Sequence, residues 1–304
     1  MSARQAALLG VLAALWGSSY LLIKIALSGF SPAEIVFGRA AIGAVVLVGA
    51  CAMQGGRARA ALGDLRRRPA SALLLGGLFV AVPFLLISYG ELHVPSGLTA
   101  VLIAPSPIFV ALFAPALDRR ERLHAQGWAG LVAGLAGVAL VVGLETIGTV
   151  EQLLGALGIL AASACYAGGS YVVRGRYAHV PSLATSAISL VAASLLTVAP
   201  ALVTAHAHGP STGAVLALVG LAVANTALAF VIFYRLIAEI GAGRANLVSY
   251  LTPPVALAYG ATLYDERIGL AAIAGLLLIL FGTALASGAR GRRAAPGGAG
   301  PVSP

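Results

Sequence analysis

The sequence has little charge. Only 10% of its 304 residues are charged and 60% are hydrophobic, whereas soluble domains carry about 25% charged residues. Ten acidic and 19 basic side chains are too few to cover a chain of this length with a water-facing surface. The scarcity of charge therefore argues against a soluble enzyme and a free nucleic-acid-binding protein, and most of the surface must face lipid.

Reactive and metal-binding side chains are also scarce. The two cysteines, Cys51 and Cys165, form no spacing motif, so the sequence predicts neither a disulfide nor a metal site, and we expect no cofactor. The five histidines lie in loops or at the ends of apolar segments. A membrane-embedded enzyme needs reactive groups clustered at one depth, so we expect that the protein is not an enzyme.

Ten long apolar segments are separated by short polar breaks, as expected for helices that cross about 30 Å of hydrocarbon. The predicted spans are 6–27, 33–53, 71–92, 96–117, 126–144, 152–173, 182–203, 212–236, 243–263 and 269–287. A cleaved signal peptide is the alternative for the first span, but its length and Lys24 argue against it. The sequence predicts an all-α polytopic membrane protein with ten transmembrane helices.

Positive charge alternates between the predicted loops. With a cytoplasmic amino terminus, 16 of the 19 basic residues fall on the cytoplasmic side, Arg267 falls outside, and Lys24 and Arg39 lie within spans. By the positive-inside rule, both termini are predicted to be cytoplasmic. Residues 288–304, rich in Gly, Pro and Arg, are predicted to form a disordered cytoplasmic tail.

The two halves of the chain repeat one another. Three motifs recur in the same order at an offset of 145–147 residues: Ala-Pro-Ser-Pro at 104–107 with Leu-Thr-Pro-Pro at 251–254, Glu-Arg-Leu at 121–123 with Glu-Arg-Ile at 266–268, and Gly-Val-Ala-Leu at 137–140 with Gly-Thr-Ala-Leu at 282–285. The shared order predicts two five-helix repeats, 1–144 and 145–287. Because five is odd, the copies must enter the membrane from opposite sides, as in the inverted repeats of secondary transporters.

A set of motifs extends over about residues 6–287. It comprises Leu-Trp-Gly-Ser-Ser-Tyr at 15–20, Arg39, the two Glu-Arg-Leu/Ile motifs, and the glycine-bearing fifth and tenth spans. As a set, these motifs resemble the drug/metabolite transporter superfamily, EamA type. The resemblance implies a ten-helix permease of the plasma (inner) membrane that exports or exchanges small metabolites, often amino acids or their analogues. The stretch 116–121 departs from the family pattern. It is more charged, and one residue longer, than the usual approach to the glutamate of the first Glu-Arg-Leu motif.

Prolines fall at matching positions in the two halves. Pro105 and Pro107 are predicted to break the fourth span, and Pro253 and Pro254 the ninth, because each proline removes a backbone donor. A broken helix frees backbone groups that a cavity can satisfy and lipid cannot. We therefore expect Pro105, Pro107 and Pro253 to line a substrate site, with simple packing kinks as the alternative.

Aromatic and polar side chains lie near the same depth. Those predicted to bind substrate are Trp16 and Tyr20 on one face of the first span, Tyr166 and Ser170 in the sixth, Asn225 in the eighth, and Asn246 and Tyr250 in the ninth. Buried amides and phenols need partners, so these groups should face the protein interior. Hydrogen bonding between helices without a ligand is the alternative, and for Asn225 the two interpretations are evenly matched.

Two basic residues lie within the predicted spans. Lys24 is expected to snorkel outward, whereas Arg39 either pairs with neighbouring groups or attracts carboxylate-bearing and zwitterionic solutes. All ten acidic residues lie toward one face or the other and none at mid-depth, which favours an uncoupled facilitator or exchanger. Glu121 and Glu266 are expected to pair with neighbouring arginines.

These features predict a secondary transporter that exports or exchanges small metabolites by alternating access, with amino acids, their analogues or amphipathic drugs as solutes. The rival is a non-transporting membrane scaffold. Its helices would pack through small residues such as Gly130, Gly134 and Gly137, a stripe that fits a homodimer face equally well. A scaffold leaves the matched proline pairs unexplained.

Overall fold

The computed structural model describes residues 1–117, 125–145, 148–205, 209–240 and 247–291. In the described ranges the protein is 86% helical and contains no strand. Seven helices in these ranges are long and apolar enough to cross a membrane, and two further apolar stretches, Ser96–Val110 and Leu270–Leu285, are shorter. The prediction of an all-α polytopic membrane protein is confirmed, whereas the count of ten transmembrane helices stays a prediction.

Eight helices form the first half. They are α1 (Ala3–Ala26), α2 (Pro32–Gln54), the short α3 (Gly56–Ala61) and α4 (Asp64–Arg67), α5 (Pro69–Gly90), α6 (Ser96–Ile103), α7 (Ser106–Leu117) and α8 (Ala125–Glu145). Capping boxes at Ser2 and Ser31 satisfy free amides at the starts of α1 and α2, and Pro32 occupies the first turn of α2.

Five helices form the second half. They are α9 (Val150–Tyr177), α10 (Ser182–Val203), α11 (212–240, composed of Thr212–Ala222, Val223–Leu228 and Ala229–Ile240), α12 (Val248–Leu263) and α13 (Leu270–Gly291). The hydroxyls of Thr149 and Ser211 cap the starts of α9 and α11. The predicted tail beyond residue 291 lies outside the described residues.

The predicted fourth span is interrupted, as the sequence indicated. It forms α6 and α7, which are separated at Ala104 and Pro105. Pro107 has no amide hydrogen to donate to Ile103 O four residues earlier. Two hydroxyls donate to that carbonyl instead, Ser106 Oγ at 2.9 Å and Ser163 Oγ at 3.1 Å. The break is therefore satisfied within the protein.

The predicted break of the ninth span is wrong. Pro253 and Pro254 lie inside the continuous helix α12, at its sixth and seventh residues. The fixed φ of proline is compatible with a helix, so two missing donors do not by themselves end one. They leave the carbonyls of Ser249 and Tyr250 without their usual amide donors. The two proline pairs thus have different structural effects.

Three helices in the described ranges contain π-helical segments that the sequence did not reveal. One segment ends α9, at Val173–Tyr177. The other two occupy Gly77–Ala81 in α5 and Val223–Leu228 in α11, and they start 146 residues apart, at 77 and 223. A π-helical turn is wider than an α-helical turn and often occurs at functional sites. The segments in α5 and α11 both contribute side chains to the interior cavity described below.

Helices pair across the two halves. The most extensive pairs are α8 with α13 and α2 with α10, followed by α5 with α9 and by α1 with α11 and α12. Many large apolar side chains point away from these contacts; Val45, Leu202 and Leu270, for example, are at least 74% exposed. An apolar exterior of this kind fits contact with lipid.

Glycines bring α8 and α13 into close contact. A Cβ atom at Gly282 would lie 2.5 Å from both Gly130 O and Gly134 N, and one at Gly137 would lie 2.7 Å from Gly275 O. The glycine stripe of α8 is therefore used within the chain. A homodimer, which stays a prediction, would have to use other residues.

Candidate functional site

A cavity of about 280 Å³ lies between helices from both halves. Its size is near the lower end of the range for ligand pockets, about 300–1,000 Å³. Residues of α1, α2, α5, α6, α7, α9, α11 and α12 line it. Within the described residues, no group of three or more His, Cys, Asp or Glu side chains could hold a metal ion. The polar chemistry of the cavity wall comes from hydroxyl, amide and guanidinium groups.

Aromatic side chains dominate the wall. Seven line the cavity: Trp16, Tyr20, Phe79, Phe84, Tyr166, Phe230 and Phe233. Trp16 packs against Phe233 with ring centroids 5.2 Å apart, and Tyr166 meets Phe79 edge to face at 5.9 Å. These contacts hold the rings in place, so the cavity offers a preformed apolar surface to a ligand.

The structure brings together most of the residues predicted to bind substrate. Eight line the cavity: Trp16, Tyr20, Arg39, Pro107, Tyr166, Ser170, Asn225 and Pro253. Pro105 and Tyr250 are not among its lining residues, and Asn246 lies outside the described residues. The placement agrees with the predicted faces of the first and sixth spans. The binding roles themselves stay predictions.

Several lining residues were not predicted from the sequence. The four phenylalanines Phe79, Phe84, Phe230 and Phe233 are as apolar as the lipid-facing residues around them, so hydropathy does not distinguish them. Ser106 and Ile103, at the break between α6 and α7, also line the cavity. The proline pair at 105 and 107 was the one available signal for this part of the wall.

Arg39 is held in the cavity wall by two contacts. Its Nε donates to Thr226 Oγ1 at 2.7 Å, and its Cζ lies 4.1 Å from the centre of the Phe84 ring. Thr226 donates its own hydroxyl to Leu221 O at 2.8 Å, which leaves its oxygen free to accept from Arg39. Within the described part of the chain, Arg39 makes no other hydrogen bond, so its terminal nitrogens remain available to a ligand.

Asn225 connects α11 to α1. Its amide nitrogen donates to Leu15 O, to Ser18 Oγ at 2.9 Å and to Ser19 Oγ at 3.0 Å. The neighbouring Thr226 contacts α2 through Arg39, so one π-helical segment holds two helices. The predicted alternative of hydrogen bonding between helices is therefore present, and Asn225 also lines the cavity.

Charged groups gather beyond one end of the cavity. Lys24 Nζ donates to Glu91 O and, at 3.3 Å, to Val94 O, so backbone carbonyls hold its ammonium, which does not snorkel freely. Glu266 accepts from Ser96 N at 2.7 Å and Gly97 N at 2.9 Å. The expected pairing of Glu266 with an arginine is wrong, because its carboxylate caps α6 instead. Glu121 lies outside the described residues.

We expect Glu266→Gln to lower the free energy of unfolding by about 1 kcal/mol, because it loses a charge-assisted cap on α6. Denaturation in mixed micelles with increasing detergent measures this loss. Glu151→Gln is the matched comparison: Glu151 is a carboxylate in the first turn of α9 but is exposed, so its replacement should cost less than that of Glu266. Equal stability of the Glu266→Gln and Glu151→Gln variants would contradict the cap.

Comparison with known proteins identifies the family. A model described as the EamA-like transporter family matches residues 4–143 and again residues 153–288. The chain belongs to this family. The resemblance to the drug/metabolite transporter superfamily, EamA type, is therefore confirmed, and the protein is an integral membrane protein of a transporter family.

Two proteins named as transporters match most of the chain. A probable terminal-alkyne amino-acid exporter of Streptantibioticus cattleyicolor is 28% identical over 80% of this chain and 79% of its own length. The uncharacterized inner membrane transporter YedA of Escherichia coli strain K12 is 28% identical over 89% of this chain and 86% of its own. A crystal structure with 22% identity covers 94% of this chain and 98% of its own, with a TM-score of 0.65, which establishes a similar fold only.

Proposed function

We propose that this EamA protein is a secondary transporter of amino acids or similar small solutes that carry a carboxylate beside an apolar or aromatic group. The observation that carries the proposal is a cavity with seven aromatic side chains and the guanidinium of Arg39 in its wall. The rings offer an apolar surface, and the terminal nitrogens of Arg39 offer a bidentate partner for a carboxylate. The cavity volume suits a solute of this size.

Export is the proposed direction. The relative from Streptantibioticus cattleyicolor carries the name of an amino-acid exporter, and it aligns with 80% of this chain. The Escherichia coli relative is named as an inner membrane transporter, which supports the plasma (inner) membrane as the location. Amphipathic drugs are the second class of solute that the aromatic wall would accept.

Alternating access between two inverted repeats is the proposed mechanism. The pairing of helices supports it, because the most extensive pairs recur when the two halves are exchanged. The first span packs on the eighth and ninth, and the sixth packs correspondingly on the third and fourth; the second pairs with the seventh and the fifth with the tenth. Two such units can rock about a shared central cavity.

Contacts between distant residues support the predicted sidedness. Glu239 accepts from Arg235 at 3.0 Å, Arg4 at 3.4 Å and Gln5 at 3.5 Å, and these residues share the predicted cytoplasmic side. The Arg235 hydrogen bond lowers the pKa of the Glu239 carboxyl below its usual range. On the opposite predicted side, Ser31 meets Thr204 at 2.9 Å. We therefore propose that both termini are cytoplasmic.

Solute exchange by the reconstituted protein tests the proposal. Proteoliposomes loaded with one unlabelled amino acid should take up the same labelled amino acid by counterflow, whereas empty liposomes should not. Each amino acid is compared with the amine that lacks its carboxylate, because Arg39 should favour the acid. A full panel of amino acids, their analogues and amphipathic cations without any counterflow would contradict the proposal.

We expect Trp16→Ala to weaken the apparent affinity of counterflow by roughly tenfold, because the substitution removes about 1–2 kcal/mol of aromatic packing against the solute. Tyr250→Phe is the control, since Tyr250 lies on α12 but does not line the cavity. Both variants should keep their folded yield in detergent. Equal affinities of the Trp16→Ala variant and the unmodified protein would place the solute elsewhere.

A further inference from the structure

Glu91 is the one fully buried acidic side chain among the residues that the structure describes. It directly follows α5, and neither of its carboxyl oxygens has a hydrogen-bond partner. Its amide donates to Ile87 O at 2.9 Å, and Ile87 lines the cavity. Residues four apart share a helix face. Glu91 thus extends the cavity-lining face of α5 by one turn.

The segment around Glu91 follows the cavity-lining residue Ile87 and is buried and held from two sides. Val94 and Ser96 are each 1% exposed. Lys24 holds the segment from α1 through the carbonyls of Glu91 and Val94, and Glu266 holds it from the other side through the amides that begin α6. An opening of this end of the cavity would have to break these contacts and admit water to the Glu91 carboxyl.

The surroundings of the carboxyl favour its neutral form while this end is closed. An ionised carboxylate without hydrogen bonds or solvent is costly, and such a group takes up a proton instead. Glu266 and the carbonyl end of α5 place further negative charge nearby. Tyr20 also faces the group.

Two cations oppose this effect, Lys24 on α1 and Arg39 on α2. Neither forms an ion pair with Glu91. The Lys24 ammonium is bound to backbone carbonyls, and Arg39 is bound to Thr226. At the same end, His93 and Glu151 are exposed to solvent. A proton fits this site better than a sodium ion, because Lys24 already occupies the carbonyls that a sodium ion would need.

We propose that Glu91 is a proton-binding site whose occupancy is linked to closure of this end of the cavity. When the end opens, the carboxyl O–H bond breaks and the proton passes to water; when it closes, the carboxylate takes a proton back. Linkage then requires that low pH favours the closed form and high pH the open form. This site rests on the proposed transport function and couples the transporter to protons. The sequence, in contrast, favoured an uncoupled carrier.

Cysteine labelling measures how often the Glu91 end of the cavity opens, and it needs no solute. Val94→Cys reports the closed segment, and Leu92→Cys, at a position 47% exposed, reports the intrinsic reactivity of a free thiol. Both are made after Cys51→Ala and Cys165→Ala. The labelling rate of the Val94→Cys variant by a water-soluble maleimide, divided by that of the Leu92→Cys variant, should rise with pH. The limit for one proton is about tenfold per pH unit.

Glu91→Gln should abolish this pH dependence and keep the ratio low at every pH, because the amide stays neutral. Glu151→Gln, which neutralises an exposed carboxylate at the same end, should retain the dependence. A ratio that is flat with pH in the unmodified Glu91 background, or a pH dependence that survives Glu91→Gln, would overturn the proposal. Labelling requires no counterflow. A negative labelling result therefore contradicts the proton site but not the transport proposal, and a negative counterflow result contradicts transport but not the proton site.

Infrared spectroscopy gives a second measurement, and its first result comes from the unmodified protein. At neutral pH the protein in lipid should show the carbonyl stretch of a protonated carboxylic acid. The band should persist in Glu151→Gln and be lost in Glu91→Gln. A protein without this band at neutral pH would overturn the proposal, whatever the stability of the Glu91→Gln variant.

Discussion

Arg39→Gln should weaken the apparent affinity for a carboxylate-bearing solute by about 10- to 100-fold and remove the preference for the acid over its amine. A charge-assisted hydrogen bond to a buried carboxylate contributes about 1.5–3 kcal/mol, and 1.4 kcal/mol corresponds to a factor of ten. Counterflow in proteoliposomes with matched acid and amine pairs measures both effects. Glutamine keeps a polar side chain but cannot supply the positive charge.

Removal of Arg39 should cost much less in stability than in transport. Removal of a buried charge also removes its desolvation penalty, and Thr226 keeps its hydrogen bond to Leu221 O. Arg39→Gln removes the Nε hydrogen bond to Thr226 Oγ1, at 2.7 Å, and the cation–π interaction with Phe84, at 4.1 Å, and the desolvation penalty that disappears with the charge offsets part of this loss. Denaturation in mixed micelles therefore separates a substrate role from a purely structural one.

Two further variants separate the effect of the Arg39 charge from the effect of its hydrogen-bond geometry. Thr226→Val removes the acceptor of Arg39 Nε but keeps the charge, so the preference for acids should survive. Arg39→Lys keeps the charge but cannot present a planar pair of donors, so affinity should fall part of the way. An Arg39→Gln protein that still prefers the acid to its amine would show that Arg39 only supports the structure.

The sequence predicted the helical architecture well because hydropathy is a strong signal over 20 residues. It also predicted that Trp16, Tyr20, Tyr166 and Ser170 face inward, since residues four apart share one face of a helix. All four line the cavity. Periodicity and composition were sufficient for these elements because they depend on local spacing alone.

Features that depend on long-range contacts could not be predicted in this way. The Ile103 carbonyl that Pro107 leaves without its usual amide donor accepts a hydrogen bond from Ser163, 60 residues further along the chain. Pro253 and Pro254 lie within a continuous helix although the local sequence is similar. The π-helical turns at 77 and 223 likewise have no signal in hydropathy. A proline in a membrane helix is therefore an ambiguous signal until its neighbours are known.

The burial of Glu91 could not be predicted from the sequence either. Its position at the end of an apolar segment indicated an interfacial residue, but the loop that follows folds over it. Glu266 and Lys24 hold this loop, and they lie 175 and 67 residues away along the chain. Burial of a residue at a span end depends on such packing, which hydropathy does not describe.

The π-helical segments that start at 77 and 223 make different contacts with the opposite half of the chain. Phe79 in α5 and Asn225 in α11 are 146 residues apart, and each contacts a helix of the other half. Phe79 packs on Tyr166 of α9, at 5.9 Å between ring centres, whereas Asn225 hydrogen-bonds to α1. One half thus uses an apolar contact where the other uses a polar one.

Asn225→Leu should lower the free energy of unfolding by about 2 kcal/mol, because hydrogen bonds between membrane helices contribute about 0.6 kcal/mol on average and at most about 1.7. The two amide hydrogens of Asn225 are shared among Leu15 O, Ser18 Oγ and Ser19 Oγ. Transport should fall too, because α1 carries Trp16 and Tyr20. Leucine is close to asparagine in size, so a cavity does not add to the loss of stability.

A double-mutant cycle distinguishes these bonds from a general packing effect. Ser18→Ala alone should cost less than Asn225→Leu, since Ser19 and the Leu15 carbonyl still accept from the amide. After Asn225→Leu, Ser18→Ala should cost less than it does in the unmodified protein, because the bond to Asn225 has already gone and only the bond from Ser18 Oγ to Leu15 O, at 2.9 Å, is left to lose. Fully additive losses of stability would mean that Asn225 and Ser18 do not interact.

Because Asn225 and Thr226 are adjacent, removal of the bonds to α1 also loosens the segment that holds Arg39. Asn225→Leu should therefore lower the preference for acids over amines, which Thr226→Val preserves.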